Sequence, residues 1–552
     1  MNDYQVSATQ RSKIRALQRN ARKKNISSMF ELMEYFEDTT NANLDLKCAN
    51  EYFKACSDSL FFSSIGDIEA PKNKLKVDRL SLINFRKFKE INIIFESDVT
   101  VLIGDNGAGK TTILDALART FSYINARIVA KGRNGRPLDN TDVKVGCADN
   151  AEVLTSLSLG EYTKYSGSLI RPAKGIENSK TSDLDSYSSL ANLYRVINYR
   201  NKKLHNKEIN IPLCVFYSVD RSSLKSNISF EPEKLVSTSI NSRFDAIDKN
   251  ALDGSSNIED FLKWFIYVDN LENNNPLQNE IKLLEAEISA LRSIGIESKS
   301  FAVELDKRIS RLLVAKEQLS DTNILNIGKI KQHVKNAIIN AVPSVSDIYV
   351  DRSSGRVEVK INNDGADINI FQASKGQLVY LSLIADLAKR LILMNPTLDN
   401  PLHGQGIVLI DEVELHLHPE WQQNIIYNLT STFPNIQFII TTHSPQVLST
   451  ITKQKIRKLS VNIEGDNIVA IPMAESYARS TSTVLSTIMH VEPIPDFPEK
   501  KALEKYRKII EQGDFRSQQA TDLHDSLVKA LGESHEDLVS LSIVKRRREK
   551  LE

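Results

Sequence analysis

The eight residues Gly104-Asp105-Asn106-Gly107-Ala108-Gly109-Lys110-Thr111 follow the spacing GxxxxGK[ST], and Thr112 extends the run. Glycines so placed let the backbone curl until several N–H groups face one anion. A helix starting directly after the run adds its positive dipole end to the same point. Lys110 would then reach the β- and γ-phosphates of a nucleotide, and the Thr111 hydroxyl would ligate Mg²⁺. The apolar run VTVLI precedes this segment and the helical pattern TTILDALARTFSYI follows it. That strand–loop–helix context separates a phosphate-binding loop from a chance match.

A second chemical pair closes the apolar run Ile407-Val408-Leu409-Ile410, where Asp411 and Glu412 stand side by side. A buried strand would deliver both carboxylates to the carboxyl end of a sheet. Asp411 would hold Mg²⁺ through water, and Glu412 would orient or deprotonate an attacking water. One strand further on, FIITTHS ends in His443, placed to contact a γ-phosphate and that water. His416 and His418, two apart in ELHLHP, do not share a helix face. They read as structural or near-site residues rather than zinc ligands.

These groups need a sheet to carry them. VTVLI, LCVFY, GIVLI and QFIITT are apolar on both faces and alternate with helical segments. That pattern predicts a largely parallel sheet covered on both sides, an α/β fold. Five segments are expected: a helical extension over 1–72, a first lobe over 73–254, a helical hairpin over 255–325, a second lobe over 326–475 and a helical extension over 476–552. In the hairpin Ile281, Leu284, Ile288 and Leu291, then Leu305, Ile309, Leu312 and Leu319, recur at three and four, with Lys316 at one seam position and Gly295 in the break. Two amphipathic helices packed on the lobes fit that stretch equally. DIYVDRSSGRVEVKIN reads as a β-hairpin turning at Ser353-Ser354-Gly355. Residues 125–210, polar and rich in Ser, Asn and Gly, yield no firm assignment.

Taken together, NFRKFKEINIIFESDVTVLIGDNGAGKTTILDAL, GIVLIDEVELHLHPEWQQ and FPNIQFIITTHSPQVLS resemble the ABC/SMC-like ATPases. The resemblance covers about 74–250 and 325–460. It implies a P-loop ATPase head using ATP and Mg²⁺, with the helical stretch where the family inserts its coiled coil. It also implies a homodimer or higher even-numbered assembly in which a signature segment of one head caps ATP on the other. Ser374 and Gly376 match that segment's Ser-x-Gly, whereas Ala373 and Lys375 depart from it. No glutamine fits the family's Q-loop. Asp220 and Arg221, after LCVFYSV, lie where relatives often carry an arginine. The short insertion, the ELHLHP box and the added N-terminal helices look like the ATPase subunit of Septu-type anti-phage cassettes, in the version encoded beside retrons. Such relatives imply a partner HNH nuclease and a retron reverse transcriptase with its RNA–DNA product.

Composition bounds what else the chain could do. It has 552 residues, 41% apolar and 26% charged, which fits more than one globular unit. No apolar run approaches the ~20 residues of a membrane span. Four cysteines without CxxC spacing fit a reducing cytoplasm better than a disulfide framework. Residues 1–27 carry seven Lys/Arg against Asp3 alone, and Lys545, Arg546, Arg547 and Arg548 repeat the theme. Either run could meet nucleic-acid phosphates or simply face solvent.

Besides a defence ATPase controlling a separate nuclease, two readings stay open. An SMC-like DNA-repair or DNA-tethering ATPase would be favoured by long arms, but a hairpin of ~70 helical residues reaches only about 50 Å. A self-contained ATPase-nuclease would need a catalytic centre that residues 460–552 do not display, having no DxD motif on a strand.

Overall fold

The structure, a computed structural model, describes residues 8–39, 44–175, 180–222, 243–248, 250–254, 258–273, 276–294, 305–314, 324–353, 355–462, 464–492 and 496–549. Lys316, Leu319, Gly295, Ser354 and Asp3 lie outside these residues. The chain divides into two compact units, Met1–Thr481 and Ser482–Glu552.

Six strands of the first unit form one sheet. They are β5 (Val99–Ile103), β8 (Leu213–Tyr217), β12 (Gly406–Ile410), β13 (Ile436–Thr441), β14 (Ile456–Val461) and β15 (Asn467–Ala470). Their order across the sheet is β15–β14–β5–β13–β12–β8. Every neighbour pairs in parallel except β15. β5, β8, β12 and β13 are buried along their whole length, as strands covered on both faces must be. β13 lies between β5 and β12, so the phosphate-loop strand and the Asp411-Glu412 strand end at the same edge of the sheet, one strand apart.

A second, antiparallel sheet is formed by β3 (Leu75–Phe85), β4 (Phe88–Ile94), β6 (Ala151–Leu159) and β7 (Thr163–Arg171), in the order β4–β3–β6–β7. The helix Lys110–Val129 packs between the two sheets. Two buried glutamines join them. Gln437 accepts from Val77 N at 2.8 Å and donates to Val77 O at 2.9 Å and Glu96 O at 2.7 Å, and Gln405 accepts from Leu75 N at 2.8 Å. A third, smaller sheet is formed by β9 (Val345–Asp351), β10 (Glu358–Asn363) and β11 (Ala366–Asn369), with β10 in the middle, and precedes the helix Lys375–Met394.

The N-terminal segment is not wholly helical. After the helices Ala8–Arg22, Ile26–Glu37 and Leu46–Leu60 come β1 (Phe62–Ile65) and β2 (Ile68–Pro71), an antiparallel pair turning at Gly66-Asp67. The strands are four residues each, too short to show clear alternation in sequence. The helix Ile258–Asn273 buries Phe261, Leu262, Trp264, Phe265 and Ile266 and packs against the helices Ile324–Ala341 and Lys375–Met394. Its apolar bulk therefore places it in the core rather than in a projecting hairpin. The helix Pro276–Ile294 and the helical residues 305–314 remain, joined by an Arg308 Nε–Glu287 ion pair of 2.7 Å. Ile281, Leu284 and Ile288 are buried.

Among its described residues the second unit holds a short helical turn, Leu485–Met489, and the longer helices Lys500–Gln512, Gln518–Leu531 and Glu536–Glu549. The three longer helices share a small core of Leu503, Tyr506, Ile510, Phe515, Leu527, Leu538 and Leu541. The unit begins at Ser482, six residues beyond the boundary expected from sequence.

Candidate functional site

The phosphate loop closes β5 and opens the helix Lys110–Val129. Gly109 is the helix N-cap at φ 99° and makes no side-chain cap. A Cβ there would meet Phe88 Cζ at 2.4 Å, so both the left-handed backbone and the close approach call for glycine. The first-turn N–H groups of the helix are thus left without a side-chain acceptor, which suits an incoming anion.

Lys110 is only 6% exposed, and its ammonium curls back onto its own loop, donating to Gly104 O at 2.9 Å and Asp105 O at 3.2 Å. Burial lowers its pKa, opposed by the nearby carboxylates of Asp411, Glu412, Asp105 and Glu414. The lysine is therefore a desolvated cation facing an acidic cluster, ready to trade loop carbonyls for phosphate oxygens.

Thr111 and Asp411, 300 residues apart, meet directly. Thr111 Oγ1 donates to Asp411 Oδ2 at 2.7 Å. Thr441, at the end of β13, donates to Asp411 Oδ1 at 2.5 Å, and its Oγ1 accepts Glu412 N at 2.7 Å. Two hard oxygen donors converging beside an uncapped helix N-terminus fit Mg²⁺ and a nucleotide phosphate.

Asp411 is 2% exposed and Glu412 partly exposed. Glu412 adopts φ 45°, a left-handed conformation that a glutamate seldom takes. His443 follows β13 at the neighbouring strand end, and its main-chain N–H donates to Glu414 Oε1 at 2.5 Å, while Thr442 Oγ1 donates to Glu414 Oε2 at 2.7 Å. Gly104, Lys110, Thr111, Asp411, Glu412 and His443 thus lie at the carboxyl ends of three adjacent strands, β5, β13 and β12.

Ser374 and Gly376 start the helix Lys375–Met394. Ser374 is exposed and forms a capping box with Gln377, accepting from Gln377 N at 3.2 Å. Among the described residues no hydrogen bond joins Ser374 or Gly376 to residues 104–112. Gly376 has a packing reason of its own. A Cβ there would lie 2.2 Å from His416 O, in the turn after Asp411-Glu412. His418 is the N-cap of the helix Pro419–Thr432, its Nδ1 accepting Glu420 N at 3.4 Å.

Sequence reasoning passed over three contributors. Thr441 is the first of two threonines before His443, and only the strand register shows that it faces Asp411. Glu414 stands in the ELHLHP segment without its partners being visible. Lys87, at the β3–β4 turn, donates to Gly107 O at 2.6 Å, so that turn lies over the phosphate loop. Arg221 enters the site from a short turn after β8. Its guanidinium is 2% exposed and donates to the main-chain carbonyls of Asp411 and Glu412. Burial pulls its pKa down to about 10 against the pull of Asp411, Glu414 and Glu412.

Comparison with known proteins places this geometry among relatives. The model of the AAA ATPase domain family matches residues 75–448. The chain is similar to the Retron Vc95 probable ATPase of Vibrio cholerae serotype O1 biovar El Tor, with 28% identity across 90% of this chain and 93% of that protein. It is 30% identical to the Retron Ec83 probable ATPase of Escherichia coli, across 88% of this chain and 89% of that one. The Septu protein PtuA of Bacillus thuringiensis matches at 21% identity across 79% of this chain and 91% of its own length.

Proposed function

The chain belongs to the AAA ATPase domain family, as a P-loop ATPase of ABC/SMC-like type, and from this footing we propose that two copies close on ATP to control a partner nuclease in anti-phage defence. The observation that carries the ATP-site reading is the 2.7 Å meeting of Thr111 with Asp411, beside Glu412.

In this reading the phosphate loop and Lys110 bind the β- and γ-phosphates. Thr111 and Asp411 would hold a Mg²⁺ ion, which when bound neutralises phosphate charge. Glu412 takes a proton from the water that attacks the γ-phosphorus as the β–γ bridging bond breaks, and His443 orients that water. Ser374 and Gly376 act on the second copy. Exposure of Ser374 at a helix start, with no link to its own phosphate loop, supports that arrangement.

The defence role is supported by the retron and Septu relatives, whose likeness extends over most of the chain. A separate HNH nuclease, and a reverse transcriptase with its RNA–DNA product, are the partners this reading requires. Expressed alone, the chain should be neither toxic nor protective. Expressed from its native operon, it should copurify with an HNH protein. Nuclease activity in the isolated chain, removed by a substitution outside the ATP site, would show a second catalytic centre and end this assignment.

The basic N-terminus gives nucleic acid a point of attachment. In the helix Ala8–Arg22, Arg11, Arg15, Arg19 and Arg22 recur every three or four residues and are all exposed. They form a cationic ridge along one helix face. Removing residues 1–27 would be a poor test, because Ile26 is fully buried. Replacing Arg11, Arg15 and Arg19 with Ala leaves the core alone. Nucleic-acid affinity should fall, and on duplex DNA the log–log salt slope should become shallower by about 0.9 for each phosphate the variant no longer neutralises. An unaltered slope assigns the ridge to solvent or to a protein partner.

A further inference from the structure

Residues after β8 reach the site from the sheet edge. β8 pairs in parallel with β12, Tyr217 opposite Ile410, and Asp411 N donates to Tyr217 O at 2.8 Å. The chain then turns through Val219–Ser222, with Arg221 N donating to Ser218 O at 3.2 Å. The turn points the Arg221 side chain inward. Nη1 donates to Ser218 O at 2.9 Å and to Asp411 O, and Nη2 donates to Glu412 O. One planar fork therefore spans two consecutive carbonyls at the point where β12 ends. On the other side of the same residue, Glu412 N is held by Thr441 Oγ1 at 2.7 Å. Glu412 is clamped through its N–H from β13 and through its C=O from the turn after β8.

Between the two clamps Glu412 sits at φ 45°. A non-glycine residue in this region persists only when its surroundings hold it there. A guanidinium suits the task because its rigid fork can bridge two acceptors, whereas an ammonium is a point donor on a flexible stem. We propose that Arg221 is a positioning residue for hydrolysis, holding Glu412 in the left-handed backbone conformation from which its carboxylate serves the attacking water. Arg221 donates to the carbonyls of Ser218, Asp411 and Glu412, and in this inference its effect on hydrolysis runs through the backbone of Glu412. The inference rests on Glu412 being the base.

The test compares Arg221→Met, Arg221→Lys, Glu412→Gln and the Arg221→Met/Glu412→Gln pair in the full-length chain. Steady-state ATP turnover and equilibrium ATP binding are measured for each. Displacing a catalytic group by an ångström can cost about 10²-fold, so kcat of both Arg221 variants should fall on that order. ATP affinity should stay within about threefold, because the loss is confined to a group that acts in the chemical step. In the Glu412→Gln background Arg221→Met should cost little more, since the base it positions is already gone. A merely structural arginine would weaken binding together with turnover, and would cost the same factor in both backgrounds. Either pattern, or turnover within about twofold of wild type in Arg221→Lys, overturns the inference. If Arg221→Met fails to fold, Arg221→Lys, which keeps the charge but not the fork, decides alone. Wild-type turnover in Glu412→Gln would instead remove the base reading itself, a result distinct from any Arg221 outcome.

Discussion

Replacing Lys110 with Ala should leave a folded chain with no measurable ATP turnover. The ammonium is a buried cation whose hydrogen bonds run to Gly104 O and Asp105 O, carbonyls of its own loop. The substitution removes the buried methylene stem of one lysine but leaves the apolar residues of β5, Val101 and Leu102, in place. What disappears is the loop cation facing Asp411, Glu412, Asp105 and Glu414. A triphosphate entering that acidic surround would meet like charge with one cation fewer to offset it. Loss of a single charge-stabilising donor typically costs 10²–10³ in rate, and here about that much or more is expected. Circular dichroism should match wild type, while phosphate release falls to background. Turnover near wild type in the purified variant would remove the assignment of the loop.

The parts of this molecule legible in sequence are those in which local pattern and burial agree. β5, β8, β12 and β13 are apolar on both faces, and three of them lead directly into a residue type the chemistry needs, so strand and site residue could be read together. The antiparallel sheet was harder. β6, AEVLTSLSL, and β7, TKYSGSLIR, do alternate, with Val153, Leu157, Tyr165 and Leu169 inward. Their outward face is rich in serine, which reads as loop composition until the alternation is counted. The helix Asp185–His205 buries Tyr187, Leu190, Tyr194 and Ile197 among amides and basic residues, which masked its stripe. The helix Ile258–Asn273 falls within the stretch assigned from sequence to the helical hairpin but carries aromatic bulk that belongs in a core.

Within the proposed site, the motif positions Lys110, Thr111, Asp411, Glu412 and His443 are visible in sequence as candidates. The contacts that side chains make to the main chain are not. The link between Thr441 and Glu412 N, and that between Arg221 and two carbonyls, depend on which strand ends lie side by side. No spacing in one chain reports that adjacency. The same holds for Gly376, whose closeness to His416 O ties the start of the helix Lys375–Met394 to the turn after Glu412. A glycine read as a ligand contact is also a packing requirement.

Glu412→Gln should separate binding from hydrolysis. Glutamine keeps the side-chain length and a hydrogen bond but cannot accept a proton. The loop, Lys110 and the Thr111–Asp411 pair stay as they are, so ATP binds as before. General-base catalysis contributes typically 10²–10⁴, so turnover should fall by about 10²-fold or more. In the proposed closed pair, ATP would then remain between the loop of one copy and Ser374 of the other. A ligand shifts an equilibrium between open and closed pairs only by its differential affinity for them. ATP contacted by both copies in the closed pair alone meets that condition, and blocking hydrolysis should make the closed pair long-lived. The most direct measurement is the solution mass of Glu412→Gln by light scattering, with and without Mg-ATP, alongside the same chain also carrying Lys110→Ala. The account predicts that Mg-ATP increases the mass of Glu412→Gln to twice its ATP-free value and leaves the double variant unchanged. A mass indifferent to ATP in Glu412→Gln, or an equal rise in the double variant, would contradict it.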